Sequence, residues 1–176
     1  SVGPRNLSTI IKNLDIFLIH ISTECVFDGS KKGYYTELDQ TNPKTVYGKT
    51  KLIGEDEIIK SLKKYMIFRV SWLYGYGVNN FVYKIIDNIK KKNKLTVVND
   101  QFGRPTSVFD FSTLIWKAIK KISTNNYKPG IYNYSDGGTV VSRYDMARYI
   151  IENFKKTNFS INNLHPTSSL DMNLSA

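Results

Sequence analysis

Tyr47 and Lys51 are the residues of this sequence whose types and spacing point most directly to chemistry. They stand four positions apart where a helix is predicted to begin, and residues four apart share one face of a helix. An ammonium beside a phenol favours the tyrosinate, so the hydroxyl would release its proton more readily near neutral pH. The pair therefore predicts a proton donor, although the same spacing also fits a surface helix with a solvated lysine.

A short apolar segment upstream is predicted to bring a second hydroxyl to the same place. Residues 16–21 are rich in β-branched side chains, which is typical of a buried strand, and Ser22 and Thr23 follow directly. In open α/β sheets, ligands bind beyond the carboxyl ends of the strands. We therefore expect Thr23, Tyr47 and Lys51 to converge on one substrate.

The elements that must position these residues alternate between helix and strand. Besides strand 16–21, the patterns predict helices over 4–14, 46–64, 79–93, 109–122 and 142–155, and strands over 66–70, 95–98 and 130–134. Asn79 and Ser142 are the expected helix caps, and the polar residues 28–43 are expected to form a flap. The alternation predicts an α/β fold with a partial doubly wound parallel sheet of Rossmann type and a smaller mixed region.

We expect two regions in the chain. Residues 1–75 are predicted to form the C-terminal part of the Rossmann-like domain and residues 76–176 a substrate-binding region, with residues 95–122 returning to the first domain. The sequence has no glycine-rich strand-to-helix turn of the kind that holds a pyrophosphate. Since two βαβ units normally precede such a strand, we expect a fragment of a longer enzyme, with the dinucleotide fingerprint outside this sequence.

Composition limits the classes of function. The net charge is +10, but its lysine runs fall mostly at predicted helix ends, so we expect no nucleic-acid role. One cysteine and two distant histidines argue against a metal centre and exclude an internal disulfide. The sequence shows neither a long apolar run nor a secretory leader, so we expect no membrane partner and a cytoplasmic location.

Five segments together resemble a known family. They are Ser22-Thr-Glu-Cys-Val-Phe-Asp-Gly29, Tyr47-x-x-x-Lys51, Arg69-Val-Ser-Trp-Leu-Tyr-Gly75, Asn79-Asn-Phe81 and Asp100-Gln-Phe-Gly-Arg-Pro-Thr106. In order and spacing they are similar to the dTDP-4-dehydrorhamnose reductases of the extended short-chain dehydrogenase/reductase superfamily. The pair Tyr47 and Lys51 marks only the superfamily, whereas the first and last segments indicate this branch. The chain departs from the family pattern at Glu24, usually Asp, and at Cys25, usually Tyr.

The resemblance implies NAD(P)H-dependent reduction of the C4 keto group of a nucleotide-linked 4-keto-6-deoxy sugar. It implies that Tyr47 protonates the new alkoxide, that Lys51 lowers the Tyr47 pKa and holds the nicotinamide ribose, and that Thr23 hydrogen-bonds the carbonyl oxygen. The cofactor is expected to be NADPH or NADH. The cofactor-binding residues are then Ser22, Tyr47 and Lys51, and the substrate-binding residues are Thr23, Glu24, Cys25, Trp72, Asn80 and Arg104.

Several alternatives stay open at this point. Cys25 changes the expected sugar pocket, so a bifunctional enzyme that epimerises and reduces a UDP-linked keto sugar is the nearest rival. A non-catalytic regulatory or binding subunit is a rival of another class. Trp72 also fits a packing role, and Arg104 also fits a solvated loop charge. A homodimer is one expected assembly.

Overall fold

A computed structural model describes residues 2–77, 79–91, 94–154 and 158–172. The chain divides into two compact units, one of residues 1–71 and 111–135 and the other of residues 72–110 and 136–176. The division thus falls at 71–72, whereas the sequence suggested 75–76, and residues 111–135 rather than 95–122 return to the first unit. The roles assigned to the two regions stay predictions.

The described elements alternate as the sequence predicts. The helices are α1 (Val2–Ile11), α2 (Val46–Ser61), α3 (Phe81–Lys91), α4 (Val108–Ser123) and α5 (Arg143–Asn153). The strands are β1 (Leu18–Thr23), β2 (Tyr65–Val70), β3 (Leu73–Tyr74), β4 (Leu95–Val98), β5 (Phe102–Gly103), β6 (Thr106–Ser107), β7 (Gly130–Tyr134), β8 (Val141–Ser142) and β9 (Leu164–Thr167).

Each predicted helix and strand is found, with ends that differ by a few residues. The first strand runs to Thr23 rather than ending at residue 21, so Ser22 and Thr23 are its last two residues. Residues 92–93 and 155, at the predicted ends of two helices, lie outside the described residues. The sequence did not predict β3, β5, β6 or β8, because two-residue strands carry little periodicity, nor β9, whose four residues include a proline.

The first unit is built on a parallel sheet with helices on both faces. Its strand order is β1-β2-β7, all parallel. Successive side chains of β2 point to opposite faces. On one face, Ile67 packs with Ile11 and Ile58, and on the other Phe68 packs with Phe111 from α4. This layering is that of a doubly wound α/β fold.

The second unit is a mixed α/β structure. Strands β4 and β9 pair in parallel, and α3 and α5 supply Ile85, Ile89, Ala147 and Ile151 to the core around Leu95. Two short pairs, β3 with β6 and β5 with β8, complete the unit. In the described part of the chain, no helix has the length and apolar character needed to cross a membrane.

Candidate active site

The carboxyl end of β1 places Thr23 at the start of a tight turn. The Thr23 side chain caps the 3-10 helix Glu24–Val26 by accepting a hydrogen bond from the Cys25 backbone N–H at 3.2 Å. Its hydroxyl also donates to Glu24 Oε2 at 3.1 Å. The hydroxyl is therefore held in a defined orientation rather than left to rotate.

Helix α2 begins beside this turn because of a cap and a glycine. Thr45 is the N-cap, accepting from the Gly48 N–H at 3.0 Å. A Cβ on Gly48 would stand only 2.1 Å from the Cys25 carbonyl oxygen, so the helix approaches the turn more closely than any side chain would allow. This approach brings the Tyr47 phenol beside the Thr23 hydroxyl, which lowers the Tyr47 pKa against the other influences on it.

The pKa of Tyr47 is raised, which differs from the expectation that Lys51 lowers it. Partial burial of the phenol is the main cause, the Thr23 hydroxyl acts in the opposite direction, and Coulomb interactions with Cys25 and Glu24 add to the rise. Burial raises a phenol's pKa because it penalises the charged form. The Tyr47 phenol therefore keeps its proton at neutral pH in this structure.

Lys51 lies one helical turn further along α2, and its side chain points to β1. Its Nζ donates to the Ile21 carbonyl oxygen at 2.6 Å. Burial lowers the Lys51 pKa, and the nearby Glu55 carboxylate opposes this shift. The ammonium is thus anchored to the residue two positions before Thr23.

The first unit therefore brings together Ser22, Thr23, Glu24, Cys25, Tyr47 and Lys51. The buried Ser22 hydroxyl donates to Glu55, so this hydroxyl is directed at the helix rather than at an open surface. Cys25 is half-buried and is not in a disulfide bond. Among the described residues, no group of three or more His, Cys, Asp or Glu side chains could hold a metal ion.

Glu55, Arg69 and Gly48 are residues of this site that the sequence reasoning missed. Glu55 and Arg69 form a buried ion pair behind Ser22. One signal was present: Glu55 follows Lys51 by four positions and Tyr47 by eight, on the same helix face. On the same helix Ile53 and Ile59 are exposed, whereas Glu55 is buried.

Trp72, Asn80 and Arg104 belong to the second unit. Trp72 has a backbone φ of 37°, and its ring lies 3.6 Å from the Arg143 guanidinium. A Cβ on Gly103 would meet the same ring at 2.5 Å, so only glycine fits there. A non-glycine residue at positive φ is strained, and such strain often accompanies function. Arg104 is half-buried in the loop between β5 and β6.

Asn80, rather than Asn79, caps α3. Its Oδ1 accepts from the Val82 and Tyr83 N–H groups at 3.0 and 3.3 Å, and its Nδ2 donates to the Gly75 carbonyl oxygen at 2.7 Å. The oxygen of the amide thus caps α3, and its nitrogen holds the segment that leads into the helix. The predicted cap at Asn79 was wrong by one residue, whereas the predicted cap at Ser142 is confirmed as a full capping box with Asp145.

Comparison with known proteins places the chain in a family. The model of the RmlD substrate binding domain matches residues 1–176. The chain belongs to this family. The resemblance to dTDP-4-dehydrorhamnose reductases drawn from the sequence is thereby confirmed.

Relatives of this RmlD-family chain are similar over most of its length. The spore coat polysaccharide biosynthesis protein SpsK of Bacillus subtilis (strain 168) is 40% identical over 134 residues, which are 76% of this chain and 45% of that protein. The dTDP-4-dehydrorhamnose reductase of Aggregatibacter actinomycetemcomitans is 42% identical over 136 residues, 77% of this chain and 46% of that enzyme. This chain therefore spans about half the length of the curated relatives it matches.

A solved structure shows the same architecture for this RmlD-family chain. The dTDP-4-dehydrorhamnose reductase of Bacillus anthracis, crystallised in complex with NADP, superposes with a TM-score of 0.88 at 31% identity. The match covers 100% of this chain and 59% of that structure. The Rossmann-like α/β fold class predicted from the sequence is confirmed.

Replacing Trp72 with alanine tests the pocket expected in the second unit. If Trp72 packs on the sugar, the change should raise KM for the nucleotide sugar several-fold or lower kcat/KM to the same degree, while unfolding stays cooperative. Trp116→Ala is the matched control, because Trp116 is the other tryptophan and is exposed on α4. Steady-state kinetics and thermal unfolding of the full-length protein give both readouts.

A different result for Trp72→Ala would assign the residue to packing alone. Truncation of a core tryptophan costs about 3–5 kcal/mol. An unchanged KM together with a loss of this size would mean that the contacts with Arg143 and Gly103 are its only role.

Proposed function

We propose that this protein carries out the NAD(P)H-dependent reduction of the C4 keto group of a nucleotide-linked 4-keto-6-deoxy sugar. The observation that carries the proposal is the neighbouring hydroxyls of Thr23 and Tyr47 at the carboxyl end of a parallel strand, with Lys51 one helical turn away from Tyr47. Ligands of doubly wound sheets bind at such strand ends. Several relatives carry the name dTDP-4-dehydrorhamnose reductase, which supports the substrate class.

Thr23 and Tyr47 can divide the chemistry at the keto oxygen between them. Thr23 has one O–H proton, and on substrate binding this proton would turn from Glu24 Oε2 to the carbonyl oxygen and hold that oxygen at the Tyr47 phenol. Tyr47 would then give its proton to that oxygen as negative charge develops on it. The Tyr47 phenol carries its proton at neutral pH, so the proton is present when the substrate arrives.

The same residues fit the nicotinamide end of a dinucleotide. An ammonium group has three N–H donors. Among the described contacts, Lys51 uses one of them to donate to the Ile21 carbonyl oxygen. Tyr47 and the remaining donors of Lys51 would hold the ribose hydroxyls. Bound NADPH or NADH would supply the hydride, and the protein would orient the substrate and the cofactor and supply the proton. We propose NADPH or NADH as the cofactor without choosing between them. The backbone of Ser22 would lie beside the nicotinamide end of that cofactor, because the Ser22 side chain is bonded to Glu55.

The substrate contacts proposed from the sequence differ in how well the structure supports them. Glu24 and Cys25 lie beside Thr23, so they are well placed for a sugar bound there. Trp72 and Arg104 stay proposals within the second unit. Asn80 has weaker support, because its amide already serves the start of α3. A homodimer and a cytoplasmic location stay predictions.

The proposal is tested by assaying the full-length protein with dTDP-linked and UDP-linked 4-keto-6-deoxy sugars. Nicotinamide oxidation measures turnover, and NMR of the product sugar measures the configuration at C3, C4 and C5. We expect reduction at C4 of the dTDP sugar with the other centres unchanged. Inverted C3 or C5 with the UDP sugar would favour the epimerase-reductase, which the unusual Cys25 beside Thr23 suggests. Binding of both ligands without turnover would indicate a binding subunit.

A further inference from the structure

Glu55 is a buried carboxylate for which the proposed chemistry has no role. Its relative exposure is 0%, although a charged side chain in the interior costs free energy unless it is fully paired. It lies on α2 on the same face as Tyr47 and Lys51. A buried charge directly behind the candidate site requires an explanation.

The Glu55 carboxylate joins α2 to two strands at once. Ser22 of β1 donates its hydroxyl to Oε1. Arg69 of β2 donates through Nε at 3.2 and 3.1 Å to the two oxygens and through Nη2 at 2.7 Å to Oε2. Ser22 and Arg69 are themselves register partners in the parallel sheet. The carboxylate therefore fixes the helix against one level of the sheet.

Three consecutive residues of β1 are thus tied to three successive turns of α2. The Ile21 carbonyl oxygen receives Lys51 Nζ at 2.6 Å, the Ser22 hydroxyl meets Glu55, and the Thr23 hydroxyl meets Tyr47. A shift of the helix along the strand would break all three contacts together. Of these, the Glu55 contact is the most buried and has the most hydrogen bonds.

The surroundings of Lys51 are consistent with an electrostatic part for Glu55. Lys51 and Glu55 have His20 from β1 as a titratable neighbour. Arg69 from β2 is the ion-pair partner of Glu55. Burial and Lys51 both lower the His20 pKa, so this imidazole is neutral and adds no charge. Glu55 is the group that raises the Lys51 pKa against burial.

We propose that Glu55 is a positioning residue for the reductase site, holding α2 in register with the end of β1 so that Tyr47 and Lys51 face Thr23. The inference rests on the proposed function. It predicts that Glu55 acts on turnover more than on substrate binding, because the groups it aligns are those that donate the proton. A displacement of about 1 Å in a catalytic group can cost about 10²-fold in rate.

The test compares Glu55→Gln with Glu55→Gln/Arg69→Met in the full-length protein. The double variant removes both buried charges, so it avoids leaving Arg69 unpaired. Ile58→Val is the matched control, since it alters a buried residue of the same helix outside the network. For both Glu55 variants we expect kcat to fall about 10²-fold with KM nearly unchanged. The control should keep the wild-type kcat.

A second readout separates this inference from the proposed function. NMR titration of the Lys51 ammonium does not depend on the sugar substrate. Loss of the Glu55 charge should move that titration to lower pH in Glu55→Gln, and Ile58→Val should leave it in place. Absence of reductase activity in the wild-type protein would overturn the proposed function. Folded Glu55 variants with wild-type kcat would overturn the positioning role, and an unchanged Lys51 titration in Glu55→Gln would overturn the electrostatic part of Glu55.

Folding failure would not leave the inference undecided. Ser22→Ala keeps both buried charges and removes one hydrogen bond to the carboxylate. We expect this variant to fold and to lose several-fold in kcat. Folded Glu55 variants with wild-type kcat would overturn the proposal, and so would a wild-type kcat in Ser22→Ala if the Glu55 variants fail to fold.

Discussion

Replacing Tyr47 with phenylalanine is expected to lower kcat of the full-length protein by about 10²-fold or more, the usual contribution of a positioned acid. The change removes the phenol oxygen and keeps the ring. Because Tyr47 is a partly exposed residue near the start of α2, the free energy of unfolding should change little. Steady-state kinetics and thermal unfolding measure the two quantities on the same preparation.

Tyr149→Phe provides the control for Tyr47→Phe. Tyr149 is an exposed tyrosine of α5, so loss of its hydroxyl should leave kcat at the wild-type value. Thr23→Val adds a further check, because its effect should not add to that of Tyr47→Phe when the two hydroxyls act on one oxygen. A near-normal rate in Tyr47→Phe would remove this residue from the role of acid.

The sequence was sufficient for the fold because the relevant signals are local and repeated. Apolar runs such as residues 66–70 and the spacing in residues 79–91 give the correct type of element before any packing is known. The alternation of these elements then implies a parallel sheet. The short strands β5 and β8 have no such signal, since two residues form a pair only when another part of the chain lies beside them.

The candidate site was predicted only as far as residue types and order allow. The sequence predicted that Thr23, Tyr47 and Lys51 lie close together, because strand ends and helix starts share an edge in this fold. It did not predict that burial raises the Tyr47 pKa, because burial is a property of the packed structure. It also missed the pair of Glu55 and Arg69, since two charged residues fourteen positions apart do not reveal that they meet in the interior.

Gly48→Ala is the second substitution with a large expected effect. The added Cβ would stand 2.1 Å from the Cys25 carbonyl oxygen and 3.0 Å from Pro43 Cβ. Since the nearest obstacle is backbone, no side-chain rotation can relieve the overlap, and the start of α2 must move away from the turn. Tyr47 precedes Gly48 directly and would move with it. We expect kcat to fall about 10²-fold, as for other small displacements of a catalytic group.

The Gly48 effect should exceed what lost stability alone explains. Overpacking typically costs about 1–3 kcal/mol, so the variant should unfold at a lower temperature but stay folded at the assay temperature. Gly137→Ala is the matched control, because its added methyl group meets nothing within 4 Å. Both variants should bind nucleotide sugar nearly as the wild type does. A Gly48→Ala protein that is destabilised yet keeps the wild-type kcat would show that turnover does not require the close approach of α2 to Cys25.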